Sequence, residues 1–317
     1  MKTGFIVCLL FAVCLLCVLG PAALGDSPPE DPYVLVLGIA QDGGYPQAGC
    51  RKDCCKPAWA DPARRRYVSC IAIVDPITQQ RWIVDATPDF RDQLRLLDTI
   101  APVQAYPGID GILLTHGHIG HYTGLMHLGR EVMGTKEVPV YAMPRMRDFL
   151  QHNGPWDQLI RLNNISLRPL EDGVAVQLND RISITPFLVP HRDEYTETVG
   201  FRIDGPNRSA IYISDIDKWD RWDVSIIDMI SKVSAAYLDA TFYAEGEIPG
   251  RNMADIPHPF IEESMALFDG LPAEEKAKIY FIHFNHTNPV LDPNSEARMR
   301  VESAGYHVAE QSQAFGL

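Results

Sequence analysis

Three histidines follow a short apolar run in the segment 111–125, whose sequence is GILLTHGHIGHYTGL. The run ends at Leu114 and is typical of a buried strand that leads into a turn. His116 and His118 lie two residues apart, so their side chains point the same way in extended backbone, while His121 lies across the turn. Imidazole is a common ligand for zinc and also suits iron and copper. The segment therefore predicts a strand that ends at a site for a divalent metal ion.

Short apolar runs bounded by turn residues recur along the chain and alternate with helix-like stretches. The runs that predict strands are 33–38, 68–75, 81–85, 111–114, 138–142, 182–187, 199–203, 209–214, 235–238 and 278–284. The stretches that predict helices are 90–99, 124–133, 145–151, 222–231, 260–270 and 293–304. This alternation predicts a layered α/β domain.

The overall charge restricts the class of partner. The 317 residues are 46% hydrophobic and 22% charged, as in an ordinary globular protein, and the formal net charge is -13. Because nucleic acid is held by clustered lysines and arginines, we expect no nucleic-acid partner. The dense basic run 64–66 predicts a solvated loop, since a nucleic-acid interface needs a whole basic face.

The first 25 residues have the composition of a secretory signal peptide. Lys2 supplies a positive start, the stretch 5–19 is almost entirely apolar, and small residues precede the predicted cleavage site. A retained membrane anchor is the alternative, but the apolar run is shorter than the ~20 residues that cross a bilayer. We therefore expect a signal peptide at 1–25, a linker at 26–32 and one catalytic domain at 33–317. The protein would be secreted or periplasmic, with no stable membrane span after cleavage.

Four of the seven cysteines lie beyond the predicted signal peptide. They are Cys50, Cys54, Cys55 and Cys70. An even number of cysteines in an exported chain predicts two disulfide bonds. The alternative is a thiolate metal site built on the first three, similar to a structural zinc site.

Several segments resemble motifs of the metallo-β-lactamase fold, a four-layer αβ/βα sandwich whose metal ions lie at the edge between its two sheets. The segment 111–125 is similar to the family signature His-x-His-x-Asp-His. Asp85 matches an aspartate that ends a strand, His191 matches the third histidine, and Asp215 matches the bridging carboxylate. His283 matches the ligand that follows the last strand. The resemblance implies this α/β fold for nearly the whole chain after the signal peptide.

Within this superfamily, three further segments resemble the B protein of pyrroloquinoline quinone biosynthesis. They are GGYP at 43–46, just before the cysteines, DATPDFRDQL at 85–94 and NHTNP at 285–289. This resemblance implies iron-dependent oxidation as an alternative activity. The biosynthetic protein is implicated in the oxidation of a tyrosine within a cytosolic peptide, so the predicted signal peptide favours a relative with a different function.

One departure from the family signature affects the predicted metal ligands. Gly120 stands where the signature has aspartate, so the second of two metal sites lacks a carboxylate. The ligands implied for the first site are His116, His118, His191 and Asp215. Those implied for the second site are His121, Asp215 as a bridge, and His283 or His286. Asp42, on the loop after the first predicted strand, is a candidate replacement for the missing carboxylate.

This ligand set predicts a metal-dependent hydrolase with one or two divalent ions, zinc first, with iron or manganese as alternatives. A bound ion lowers the pKa of coordinated water from about 15.7 to about 7. Asp215 is one candidate catalytic residue, and His258, which resembles a proton-donating loop histidine of phosphodiesterase relatives, is the other. The alternative for His258 is a loop histidine without a catalytic role.

The expected substrate is a small molecule, namely an ester, lactone or phosphodiester. Two alternatives to the hydrolase stay open. One is an iron-dependent oxygenase, and the other is a metal-binding protein without turnover.

Overall fold

The computed structural model describes residues 30–317. The predicted signal peptide lies outside these residues, so export stays a prediction. Between residues 30 and 317, no helix combines the length and the apolar character that a bilayer crossing requires.

The described chain forms two mixed sheets of seven strands each. The strands of the first sheet are β1 (Tyr33–Gly38), β2 (Cys70–Asp75), β3 (Gln80–Val84), β4 (Gly111–Leu113), β5 (Val138–Ala142), β6 (Ile165–Pro169) and the last strand of the chain, β14 (Ala314–Gly316). The strands of the second sheet are β7 (Val176–Asn179), β8 (Ile182–Leu188), β9 (Val199–Asp204), β10 (Ser209–Ile213), β11 (Ala235–Asp239), β12 (Ile279–Ile282) and β13 (His307–Val308).

The two sheets have corresponding strand orders, β14-β1-β2-β3-β4-β5-β6 and β13-β12-β11-β10-β9-β8-β7. In the first sheet β3 to β6 run parallel, whereas β1 pairs antiparallel with β2 and β14. In the second sheet β10 to β13 run parallel and β7 to β10 antiparallel. Each sheet therefore brings the carboxyl ends of several neighbouring parallel strands to one edge.

Helices cover the outer faces of the sheets. The α-helices of the described chain are α1 (Lys56–Ala60), α2 (Phe90–Ile100), α3 (Ile119–Tyr122), α4 (Pro144–His152), α5 (Trp156–Arg161), α6 (Ile226–Ile230), α7 (Ile261–Leu267), α8 (Ala273–Lys276) and α9 (Glu296–Ser303). Short 3₁₀ helices lie at Pro62–Arg64, Thr123–Leu128, Trp219–Arg221 and Pro289–Leu291.

Burial on both faces of the strands produces the layers. In β1, Val34 and Val36 contribute to the core that contains residues of both sheets, whereas Leu35 and Leu37 pack in a second core with α2 and α4. Successive strand residues point to opposite faces, so a strand that is buried on both faces is apolar throughout. The arrangement of helices, two sheets and further helices confirms the predicted four-layer αβ/βα sandwich.

The sequence patterns miss the four strands at the sheet edges and mistake one helix. Edge strands β6, β7, β13 and β14 are short and partly exposed, so they lack the apolar signal of the central strands. The predicted helix 124–133 is instead the 3₁₀ helix Thr123–Leu128 followed by turns. Its backbone approaches a neighbouring loop closely, since a Cβ on Gly124 would lie 2.2 Å from the carbonyl oxygen of Thr87.

Phe281, in the middle of β12, provides a test of the core between the sheets, because its side chain is fully buried there. We expect Phe281→Ala to lower the free energy of unfolding by about 3 to 5 kcal/mol, since it removes buried apolar area and leaves a cavity. Urea unfolding measures the change. The control is Ile77→Ala, at a side chain that is 62% exposed, which should change stability by less than about 0.5 kcal/mol. Equal losses in the two variants would contradict this packing.

Candidate metal centre

Acidic residues and histidines collect at the edge where strands of both sheets end. The residues within three positions of a strand's carboxyl end are Asp85 after β3, His116 after β4, His191 after β8, Asp215 after β10 and His283 after β12. His118 belongs to the turn after β4, His121 lies in the short helix α3 that follows this turn, and Asp42 lies on the loop after β1. The apolar strands are the reason for this convergence, because functional groups at the carboxyl ends of parallel strands meet at one edge.

Several overlapping sets of candidate ligand atoms lie there, and two of them share no residue; within each of these two sets the atoms lie within 4.8 Å of one another. The trihistidine set is His116, His118 and His191, and the mixed set is Asp42, His121 and His283. Asp215 contacts both sets. Its Oδ1 lies 3.6 Å from Nε2 of His191, and its Oδ2 lies 3.0 Å from Nε2 of His121 and 3.2 Å from Nε2 of His283. The structure thus brings together seven of the eight predicted metal ligands.

Hydrogen bonds around the trihistidine set leave two nitrogen lone pairs facing each other. Thr115 Oγ1 donates its proton to Asp85 at 2.9 Å, so it accepts a hydrogen bond from Nδ1 of His116 at 3.0 Å. Nε2 of His118 donates to the carboxylate of Glu194 at 3.0 Å. Nε2 of His116 and Nδ1 of His118, which lie 2.9 Å apart, therefore both present lone pairs. Two acceptors at this distance require a cation or a proton between them.

In the mixed set, His121 is oriented in the same way. Its Nδ1 donates to Oδ2 of Asp85 at 2.7 Å, which leaves the lone pair on Nε2. That lone pair faces the carboxylates of Asp42 at 3.2 Å and Asp215 at 3.0 Å. Three acceptor atoms from three different strand ends thus converge on one point.

His283 and His191 complete the sets with nitrogen atoms that have no hydrogen-bond partner. Thr241 Oγ1 donates to Asp239 at 2.7 Å and accepts from Nδ1 of His283 at 3.0 Å. The Nε2 of His283, both ring nitrogens of His191 and Oδ2 of Asp215 are buried without an aligned partner. Buried polar atoms are almost always hydrogen-bonded, so these atoms indicate ligands of an ion. Imidazole nitrogen with carboxylate oxygen suits divalent zinc, iron or manganese.

The Asp42 carboxylate occupies the space that an aspartate at position 120 would need. A Cβ built on Gly120 would lie 2.3 Å from Oδ1 of Asp42 and 2.6 Å from its Cγ. An aspartate at position 120 would therefore collide with Asp42, which reaches the centre from the loop after β1. The hypothesis that Asp42 replaces the missing ligand is consistent with this geometry.

The electrostatics differ between the two sets. Burial lowers the pKa of His191 to about 4, so this ligand is neutral at physiological pH. For His283, burial also opposes the charged form, but Asp215 and the other nearby carboxylates outweigh it and raise the pKa to about 10. Protons and metal ions compete for the same lone pairs, so an ion held by the mixed set would take the place of a proton on His283.

Two residues of the centre have unusual backbone conformations. Asp85 has a φ of 70° and His283 a φ of 69°, in the left-handed region that residues other than glycine seldom adopt. Both directly follow the last residue of a strand. Such strain is found where the surrounding structure compensates for it and where a side chain must be aimed at a functional site.

His258, the predicted proton donor, lies beside the trihistidine set and is buried. Its Nδ1 lies 2.7 Å from Oδ2 of Asp239 and 3.8 Å from Oδ1 of Asp215, and its ring centroid is 5.3 Å from that of His191. The structure therefore places His258 next to the centre, with one ring nitrogen held by a carboxylate.

The structure corrects the prediction for His286, which does not reach the histidine centre. Its Nδ1 lies 3.4 Å from Sγ of Cys55 and 3.5 Å from Sγ of Cys54. Together with Cys50 these residues form a separate cysteine cluster whose ligand atoms are within 4.8 Å of one another. Only two residues separate His286 from His283, which directly follows β12, and the chain turns away from the centre between them.

The prediction of two disulfide bonds is also wrong, because all four cysteines of the described chain are free. Cys70 lies in β2, fully buried in the core beneath the first sheet, where its Sγ contacts the carbonyl oxygen of Asp85. It has no cysteine neighbour there. The remaining three thiols and His286 match the alternative prediction, a thiolate metal site.

Among the residues that orient the histidines, Asp85 is predicted from the sequence, whereas Asp239, Thr115 and Glu194 are not. Asp239 closes β11 just as Asp85 and Asp215 follow their own strands, so the pattern of an apolar run ending in aspartate was a usable signal. Thr115 directly precedes His116, so its position in the sequence could have indicated a contact with that histidine. Glu194 lies on an exposed loop, and no sequence pattern marks it.

Comparison with known proteins identifies the family. A model described as the beta-lactamase superfamily domain matches residues 80–284, more than half of the chain. The chain belongs to this superfamily.

Within the superfamily the chain is similar to proteins of pyrroloquinoline quinone synthesis. It is 28% identical to coenzyme PQQ synthesis protein B of Xanthomonas campestris pv. campestris, over 90% of this chain and 99% of that protein. It is also 28% identical to the protein of that name from Methylobacterium nodulans, over 89% and 99% of the two chains. The crystal structure of Zn(2+)-bound PqqB from Methylobacterium extorquens has a TM-score of 0.74 and 25% identity, covering 90% of this chain and 100% of that one. The chain is therefore PqqB-like, as predicted, and a divalent metal centre is supported.

The hypothesis that Asp42 replaces the aspartate missing at position 120 can be tested by exchanging the residues at these two positions. We expect Asp42→Ala to weaken binding of the second ion at least about tenfold, because one of its charged ligands is lost. The double variant Asp42→Gly with Gly120→Asp restores the family signature and should recover part of the affinity. Competition with a chromophoric chelator measures both. Asp53→Ala, at an exposed carboxylate of the same loop, is the control, and equal affinities for Asp42→Ala and Asp53→Ala would contradict the role of Asp42.

The cysteine cluster generates a separate prediction. We expect Cys55→Ser to lower the zinc content by one ion per chain and to lower the melting temperature, since metal binding contributes directly to folding stability. Cys70→Ala removes a thiol outside the cluster and should leave the zinc content unchanged. Elemental analysis of the purified variants checks this. Unchanged zinc in Cys55→Ser would show that the cluster does not bind zinc.

Proposed function

We propose that the protein is a metal-dependent hydrolase that attacks a small ester, lactone or phosphodiester with a metal-activated water. The observation that carries the proposal is the single carboxylate, Asp215, shared by two sets of ligands. When bound, divalent ions in such a pair supply an activated water and stabilise the charge that develops on the attacked and leaving oxygens.

The residues of the chain itself supply orientation and proton transfer. Asp239 accepts a hydrogen bond from Nδ1 of His258, which fixes the ring and directs Nε2 away from that carboxylate. A protonated Nε2 can then donate its proton to a leaving oxygen. Asp239 thus orients His258, the proposed general acid.

Access and charge support a small substrate. Most side chains of the centre are fully buried, but the side chains of His118, Asp42 and His258 are 14%, 21% and 10% exposed. Solvent therefore reaches the centre beside these three residues. The formal net charge of -13 disfavours an extended polyanion such as RNA. A small molecule that enters between His118 and His258 fits both observations.

Iron-dependent oxidation, which the resemblance to the B protein of pyrroloquinoline quinone biosynthesis implies, is the second candidate, and the chain is 28% identical to coenzyme PQQ synthesis protein B. The two candidates use the same imidazole-rich centre and differ in the metal that it holds. Metal analysis of the purified protein separates them. Zinc or manganese with hydrolytic turnover supports the hydrolase, iron with oxygen consumption supports the oxidase, and tight metal without either activity contradicts both.

The hydrolase can be tested with a panel of chromogenic esters, lactones and phosphodiesters. On an active substrate, we expect His258→Gln to lower kcat by about 10²- to 10⁴-fold with unchanged metal content, since it removes only the proton donor. His152→Gln, on an exposed face of α4, is the matched control and should retain full activity. Full activity of His258→Gln would contradict the assigned role, and loss of metal from it would show a ligand instead.

A further inference from the structure

The outer ring nitrogen of each oriented histidine has its own hydrogen-bond partner. For His116 and His283 the partners are the buried hydroxyl groups of Thr115 and Thr241. For His121 the partner is the buried carboxylate of Asp85. Each of these three partners lies directly after a strand or within two residues of its end. They are parts of the rigid framework and are inaccessible to solvent.

The partner of His118 is different. Glu194, whose side chain is 48% exposed, accepts a hydrogen bond from Nε2 of His118 at 3.0 Å. It lies on the loop 192–197, between β8 and β9, three residues after the ligand His191. Within the trihistidine set, His118 is therefore the member whose outer nitrogen is held by a surface loop. The same loop begins directly after His191, another member of the set.

We propose that Glu194 is a positioning residue that fixes His118 with Nδ1 directed at the first metal ion. An imidazole that donates from Nε2 must keep its lone pair on Nδ1, which is the atom facing Nε2 of His116. The hydrogen bond to the Glu194 carboxylate thus selects the tautomer that can bind metal. A carboxylate in this position also increases the basicity of the imidazole.

The loop is held against the histidine turn, so Glu194 is presented from a defined position. Oγ1 of Thr196 accepts a hydrogen bond from the backbone N–H of Gly117, between the two histidines, at 2.7 Å. Arg145 donates to the carbonyl oxygen of Asp193 at 2.8 Å, and its backbone N–H donates to Glu197 at 3.0 Å. These contacts tie both flanks of Glu194 to α4 and to the turn after β4. The hydrogen bond between Glu194 and His118 therefore joins two restrained segments.

Cobalt binding without any substrate tests the proposal independently of the proposed function. We expect Glu194→Ala to lower the affinity for the first Co²⁺ ion by about 10- to 100-fold, which is the typical loss when the hydrogen-bond partner of a metal ligand is removed. Glu194→Gln should lower the Co²⁺ affinity less than Glu194→Ala does, because the amide oxygen can accept the same hydrogen bond. Glu131→Ala is the matched control, since Glu131 is an exposed carboxylate that pairs with its neighbour Arg130. It should bind Co²⁺ like the unmodified protein.

A spectroscopic measurement separates positioning from a general loss of structure. In the cobalt-loaded protein, the paramagnetically shifted imidazole N–H resonance of His118 should persist in Glu194→Gln. It should broaden through solvent exchange in Glu194→Ala, while the N–H resonances of His116 and His121 stay unchanged. Equal Co²⁺ affinity in Glu194→Ala and Glu131→Ala, or an unaltered His118 resonance in Glu194→Ala, would overturn the proposal.

Discussion

The centre depends on the burial of Asp215 among histidines whose lone pairs all face inward. Thr115, Asp85 and Thr241 commit the outer nitrogens of three rings to hydrogen bonds, and the inner nitrogens are left as acceptors beside a carboxylate. An uncompensated buried charge costs several kcal/mol, so such a set of acceptors is stable only with cations or protons among them. The preference for positive charge is therefore built into the tautomers that the surrounding framework selects.

The fold makes this arrangement possible because it separates packing from chemistry. Apolar strands buried on both faces form the layers, and the residues just beyond their carboxyl ends are free to be polar. Asp85 and His283 leave their strands in the left-handed conformation, which turns each side chain toward the centre. The energetic cost of those two conformations is borne by the extensive packing of the strands that precede them.

The central strands and most ligands were predictable from the sequence, because each ligand follows an apolar run and the run is a strong local signal. His116, His118, His191, Asp215 and His283 meet as the resemblance to the superfamily implies. The edge strands were not predictable, since partial exposure weakens their pattern. The separation of His286 from His283, the grouping of His286 with cysteines more than 200 residues earlier, and the contact between Glu194 and His118 all depend on loop paths in three dimensions. Local sequence patterns carry no information about such paths.

Anomalous diffraction from crystals of the zinc-loaded protein tests the centre most directly. Two zinc peaks should lie on either side of Asp215, one bonded to His116, His118 and His191, the other to Asp42, His121 and His283. The lone pairs of His116 and His118 would then point at the first ion instead of at each other. A structure without zinc between His116 and His118, although zinc is bound elsewhere in the same crystal, would contradict the assignment of these histidines as a metal site.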